Sequence, residues 1–147
     1  MTEMLSCKPY TFKENGQYII HSAGKHHLRV DCCDVFFEGK FVFENKGLKQ
    51  TEKLTNLLNG AFLCGKSDAS SVSNKSVRKH NPYTFKETYC RSPLVFFGIL
   101  GHYVYEIFFE EDRIETRGDK KQAEELTARL NLAYAHGVSN YFYFKNF

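Results

Sequence analysis

A chain of 147 residues with 42% hydrophobic content, fourteen Phe and nine Tyr is long enough to bury one core. It falls within the range of about 100–200 residues typical of a single domain. A formal net charge of +3 is too slight to argue for nucleic acid. No apolar run reaches the ~18 residues of a membrane span, and the opening MTEMLSCKPY has no apolar signal region, so neither membrane insertion nor secretion is expected. Five cysteines without a disulfide-like rhythm fit a reducing cytoplasm.

In chain order, Met1 to Lys8 is expected to be a short, loosely held leader. Tyr10 to Glu14 alternates aromatic and polar residues, Asn15-Gly16 has turn chemistry, and Gln17 to His21 resumes as a strand. This pattern predicts a β-hairpin turning at Asn15-Gly16. A further turn is expected around Gly24. His27 to Phe37 is rich in β-formers, Glu38-Gly39-Lys40 turns it, and Phe41 to Glu44 returns. A helix follows from Lys49. Its Leu54, Leu58, Ala61, Phe62 and Gly65 fall at i, i+4, i+7, i+8 and i+11, one face at the helical period. Gly65 is expected to close it with a left-handed cap.

Residues 67–81, SDASSVSNKSVRKHN, have almost nothing apolar and read as a linker. Lys75, Arg78, Lys79 and His80 form a small basic cluster within it. The chain then repeats itself. Pro9-Tyr10-Thr11-Phe12-Lys13-Glu14 recurs as Pro82-Tyr83-Thr84-Phe85-Lys86-Glu87, and Phe36-Phe37-Glu38 recurs as Phe108-Phe109-Glu110. Lys49–Asp68 matches Lys121–Asn140 at ten of twenty positions. Leu126, Leu130, Ala133, Tyr134 and Gly137 restore the apolar stripe, with Gly137 again expected as a cap. The second copy differs by its apolar run Leu94 to Leu100, ahead of a strand at Tyr103–Phe109 and another at Arg113–Thr116.

A repeat of this kind takes precedence over any other reading. Residues 9–66 form repeat 1 and 82–140 repeat 2, followed by an aromatic tail, 141–147, expected to cap the core, pair with a sheet edge or dock on a second subunit. The fold class is α+β: one compact domain of two tandem copies, each a three- or four-stranded antiparallel sheet plus one helix, related by a pseudo-twofold.

Sites of chemistry are sparse. Asp31-Cys32-Cys33-Asp34, with His26 and His27 nearby, has metal-binding atom types. Neighbouring strand residues point to opposite faces, however, and no zinc-type spacing is present. No metal and no cofactor is therefore expected. Cys64 and His136 occupy equivalent helix positions, but the negative end of a helix dipole raises a thiol pKa, which argues against a nucleophile. No esterase, zincin, P-loop or dinucleotide motif occurs. What both helices share is a polar stripe, Glu52, Thr55 and Asn59 against Glu124, Thr127 and Asn131, about 120° from the centre of the apolar stripe. Its plain reading is solvated surface. Its functional reading is a symmetric groove, with Thr55, Asn59, Thr127 and Asn131 as binding residues and Arg78 and Lys79 receiving an anion.

The helix text Leu58-Asn59-x-Ala61-Phe62-x-x-Gly65 and Leu130-Asn131-x-Ala133-Tyr134-x-x-Gly137 resembles the closing helix of small, uncharacterised bacteriophage accessory proteins. The resemblance covers about a dozen residues per copy and implies a phage or mobile-element accessory or anti-defence factor. Such a protein is expected to bind a host protein or sequester a nucleotide-type signal without catalysis. The alternatives are a nucleic-acid binder using the basic linker and exposed aromatics, and an enzyme without a recognisable motif. Partnering with a second copy through the aromatic tail is also open.

Overall fold

The computed structural model describes residues 8–70, 81–90 and 102–145. The chain divides into two compact units, Met1–Leu63 and Cys64–Phe147. In the first, β1 (Tyr10–Ala23), β2 (His26–Phe37) and β3 (Lys40–Lys46) form an antiparallel meander, and α1 (Leu48–Ser70) follows, its residues from Cys64 onward belonging to the second unit. In the second, β4 (Tyr83–Cys90), β5 (His102–Phe109) and β6 (Asp112–Arg117) form another, and α2 (Lys120–Lys145) follows. The fold is α+β, with two three-stranded sheets and one helix after each among the described residues.

The expected turn at Asn15-Gly16 is not a hairpin. β1 runs straight through it, and the register moves from Glu14 opposite Cys33 to Tyr18 opposite Asp31. Residues 15–17 therefore bulge out of a continuous strand. Gly16 takes φ +85°, and Asn15 Oδ1 accepts the Gln17 N–H at 2.9 Å. Asn15 Nδ2 meanwhile donates to Asp34 and Glu44 at 2.8 and 2.7 Å, tying the bulge across all three strands. True reversals come at Gly24-Lys25 and at Glu38-Gly39, where φ of 51° and 82° match the two left-handed positions of a type I′ turn.

The apolar stripes bury as their spacing predicts. Leu54, Leu58, Ala61 and Phe62 are buried in α1, with Cys33, Val35 and Tyr10 buried in the sheet of the same unit. Leu126, Leu130, Ala133 and Tyr134 repeat this in α2, with Ile107 and Tyr83 in the second sheet. The helix starts differ. Gly47, at φ 87°, puts its carbonyl on the Thr51 N–H and the Thr51 hydroxyl. Asp119 instead accepts the Lys121 N–H through its side chain, as an N-cap does.

The helix ends depart from expectation. α1 continues past Gly65 to Ser70, and α2 past Gly137 to Lys145. The first residues of the expected linker are thus helical, and Tyr141 to Lys145 extend α2 rather than forming a separate tail. Gly65 has another task within the second unit. A Cβ placed on it would fall on the backbone carbonyl of Tyr134, so only hydrogen lets the two segments approach. Beside this contact the Tyr134 hydroxyl donates to Asp68 at 2.6 Å.

Gly65→Ala and Gly60→Ala should consequently change stability in opposite directions. Gly60 is exposed with open space around its Cβ position, so alanine there should gain about 0.5–1 kcal/mol from reduced backbone entropy. At Gly65 a backbone atom must move, and overpacking of this sort loses about 1–3 kcal/mol. Thermal melts of the two variants decide it; a stabilised Gly65→Ala would refute the close approach.

Candidate functional site

Only the two glutamates of the polar stripe, Glu52 and Glu124, are exposed. Thr55 and Asn59 are 4% and 6% exposed, Thr127 is buried, and Asn131 is half-buried. Each asparagine holds the protein's own backbone. Asn59 Oδ1 accepts the Tyr10 N–H at 2.9 Å, and its Nδ2 donates to the Tyr10 carbonyl at 3.0 Å. Asn131 does the same to Tyr83, at 2.9 and 3.0 Å. β1 and β4 are edge strands, and in each the asparagine caps the first residue of the open edge. The preceding proline carbonyls face the other way and accept Glu38 N–H and Glu110 N–H at 2.9 and 3.0 Å.

This clamp explains why the two most exact repeats lie so far apart in sequence. Pro-Tyr and the helix asparagine are two halves of one contact. The tyrosine ring completes it: Tyr10 lies 4.8 Å from Phe37 and Tyr83 lies 4.9 Å from Phe109, both tilted by 49°. Burial pushes the Tyr10 hydroxyl up to about 12, so it stays neutral. The expectation that Asn59 and Asn131 sit at exposed helix positions is therefore corrected. Periodicity places them off the apolar stripe, but the sheet edge reaches round to them. Thr55 likewise turns inward, its hydroxyl donating to the Thr51 carbonyl at 2.7 Å. In the second unit Thr127 and Asn131 also border a shallow groove of about 490 Å³ beside Phe85 and Leu132.

Arg78 and Lys79, with the rest of the basic cluster, lie outside the described residues, as does the apolar run Leu94 to Leu100. Cys32 and Cys33 are both buried. Burial raises the Cys33 thiol above its ordinary range, which makes it a poor nucleophile or ligand. Among the described residues no group of three or more His, Cys, Asp or Glu is placed to hold a metal. No described helix is long and apolar enough to cross a membrane.

Surface that sequence reasoning passed over lies at the far end of the first sheet. β3 pairs with β2 only from Cys32 onward, whereas β1 and β2 stay paired out to Ala23 and His26. Tyr18 to Asp31 thus forms a two-stranded arm. Strand alternation puts Tyr18, Ile20 and Arg29 on one face and Ile19, Leu28 and Val30 on the other. Both faces carry apolar side chains, and Tyr18, Ile20 and Leu28 are 51%, 54% and 64% exposed. Arg29 stacks on the Tyr18 ring at 4.1 Å and bonds Asp31 at 3.0 Å, while Ser22 Oγ and His27 Nδ1 lie 2.7 Å apart. The available signal was the unequal strand length: His27 to Phe37 is much longer than Phe41 to Glu44.

No family model, curated protein or solved structure matches the chain.

Proposed function

We propose that the protein is a non-catalytic binding factor, a phage or mobile-element accessory protein that occupies a host protein. The observation that carries this reading is the arm, where Leu28, Ile19 and Val30 form an apolar strip on a ribbon that β3 leaves uncovered. A two-stranded ribbon is marginal in water by itself, and exposed apolar surface of this kind marks interaction sites. Lys25, His26 and His27 lie at its tip. The complementary partner is a protein with an apolar cleft rimmed by carboxylates. Sequestration of a nucleotide signal, or nucleic-acid binding through the basic linker, draws on the residues around 75–80 instead.

The test places a photo-crosslinking residue at Leu28 and, separately, at the exposed Lys53 on α1, in host cells. One host protein should be captured from the arm and not from α1. With that protein purified, Leu28→Asp should weaken binding at least about tenfold, since a desolvated charge opposes the contact. A raised melting temperature with nucleotides, or tight and salt-sensitive binding to DNA or RNA, would overturn the protein-partner reading.

A further inference from the structure

We propose that two copies of this chain pair along the free edge of β1 in the arm, antiparallel, about a twofold axis beside Ile20. Among the described residues the sheet order leaves β1 with a neighbour on one side only. The direction of its backbone groups follows from the ladder. Gly47 N–H donates to the Asp31 carbonyl at 2.7 Å, so Asp31 directs that group toward β3. Tyr18, directly opposite Asp31, therefore turns its N–H and carbonyl away from β2, and Ile20 and Ser22 do the same. Three residues present a row of backbone donors and acceptors along an edge that carries exposed apolar side chains.

Proteins usually guard such an edge with lysine, proline, an inward charge or a covering segment. The structure guards the near end of this strand with Asn59. From Gln17 to Ala23 the sequence is QYIIHSA, with no proline and no Lys, Arg, Asp or Glu. An edge of this composition is compatible with itself, because identical strands bring no like charges together. In the antiparallel register centred on Ile20, that side chain faces its own counterpart, Tyr18 faces the counterpart of Ser22, and Ile19 that of His21. The nearest charged residues flanking the run, Glu14 and Lys25, have opposite signs, and antiparallel pairing carries each toward the other's counterpart. Closed twofold contacts of this kind use one patch on both copies. Edge pairing leaves the face that carries Leu28, Ile19 and Val30 open, so it does not depend on the partner proposed above.

Sedimentation equilibrium on the full chain and on Ile20→Lys and Ile20→Glu tests it. The wild type should dimerise at tens of micromolar or below, on the order expected for a small interface. Each variant alone should dissociate at least about tenfold more readily, because identical charges then meet at the axis. An equimolar mixture of the two should recover the dimer, as Lys now faces Glu. Ile20 is more than half exposed, so both variants should melt as the wild type does when monomeric. A wild type that stays monomeric, variants that dimerise unchanged, or a mixture that stays apart would each overturn the pairing.

Discussion

Leu58→Ala and Leu130→Ala should each destabilise the protein by about 2–5 kcal/mol, the range for fully buried leucines. Leu58 is 1% exposed and Leu130 is fully buried. Truncation removes apolar surface from the core and leaves a cavity that the rigid backbone of a helix and sheet only partly closes. Leu132 is the control, two residues from Leu130 but half exposed on the other side of α2. Its alanine variant should stay within about 0.5 kcal/mol of wild type. Urea unfolding reads all three, and the two buried sites should report separately if the units unfold in separate steps.

Asn59→Ala should lose at least about 2 kcal/mol, because it orphans both the N–H and the carbonyl of Tyr10, at about 1–3 kcal/mol per buried group. Side-chain volume is not the cause, so Asn59→Leu should be no better. Asn59→Asp should also fail, since it keeps the acceptor for the Tyr10 N–H but sets a carboxylate oxygen against the Tyr10 carbonyl. Asn131→Ala should lose less, as Asn131 is half-buried and water reaches the vacated groups more easily. Equal losses at the two asparagines, with each variant binding its partner normally, would still support a structural role. Unchanged stability with lost binding would restore the groove reading.

Much of the scaffold is legible in the sequence because it rests on period and turn chemistry. The helical stripe locates Leu54, Leu58, Leu126 and Leu130 in the core, and Glu38-Gly39 announces a tight reversal. The failures share one physical origin. Gly65 looks like a cap because glycine usually ends a helix; nothing local reveals that the Tyr134 backbone will lie against it. Asn15-Gly16 has the chemistry of a hairpin turn, but Asn15 finds Asp34 and Glu44 across the sheet, and the strand continues. Asn59 is polar and off the stripe, so it reads as surface until the position of the β1 edge is known.

One clue to the clamp was present. Pro9-Tyr10 with Asn59, and Pro82-Tyr83 with Asn131, are retained together while Leu57/Arg129 and Gly60/Leu132 differ. Tyr10 with Asn59, and Tyr83 with Asn131, touch and so are jointly constrained. The arm had no such marker, because its apolar residues alternate as those of any strand do. Only the point where β3 stops shows that Tyr18, Ile20 and Leu28 are uncovered.

The shared asparagines clamp the open sheet edges at Tyr10 and Tyr83. Amide hydrogen exchange resolved at Tyr10 and Tyr83 measures this most directly. In the wild type both amides should be protected, although they lie at the outer edge of their sheets. In Asn59→Ala the Tyr10 amide should exchange faster by about the factor its lost hydrogen bond implies, tenfold for each 1.4 kcal/mol, while Tyr83 keeps its protection. A Tyr10 amide that exchanges in the wild type as freely as an open strand edge would contradict the clamp.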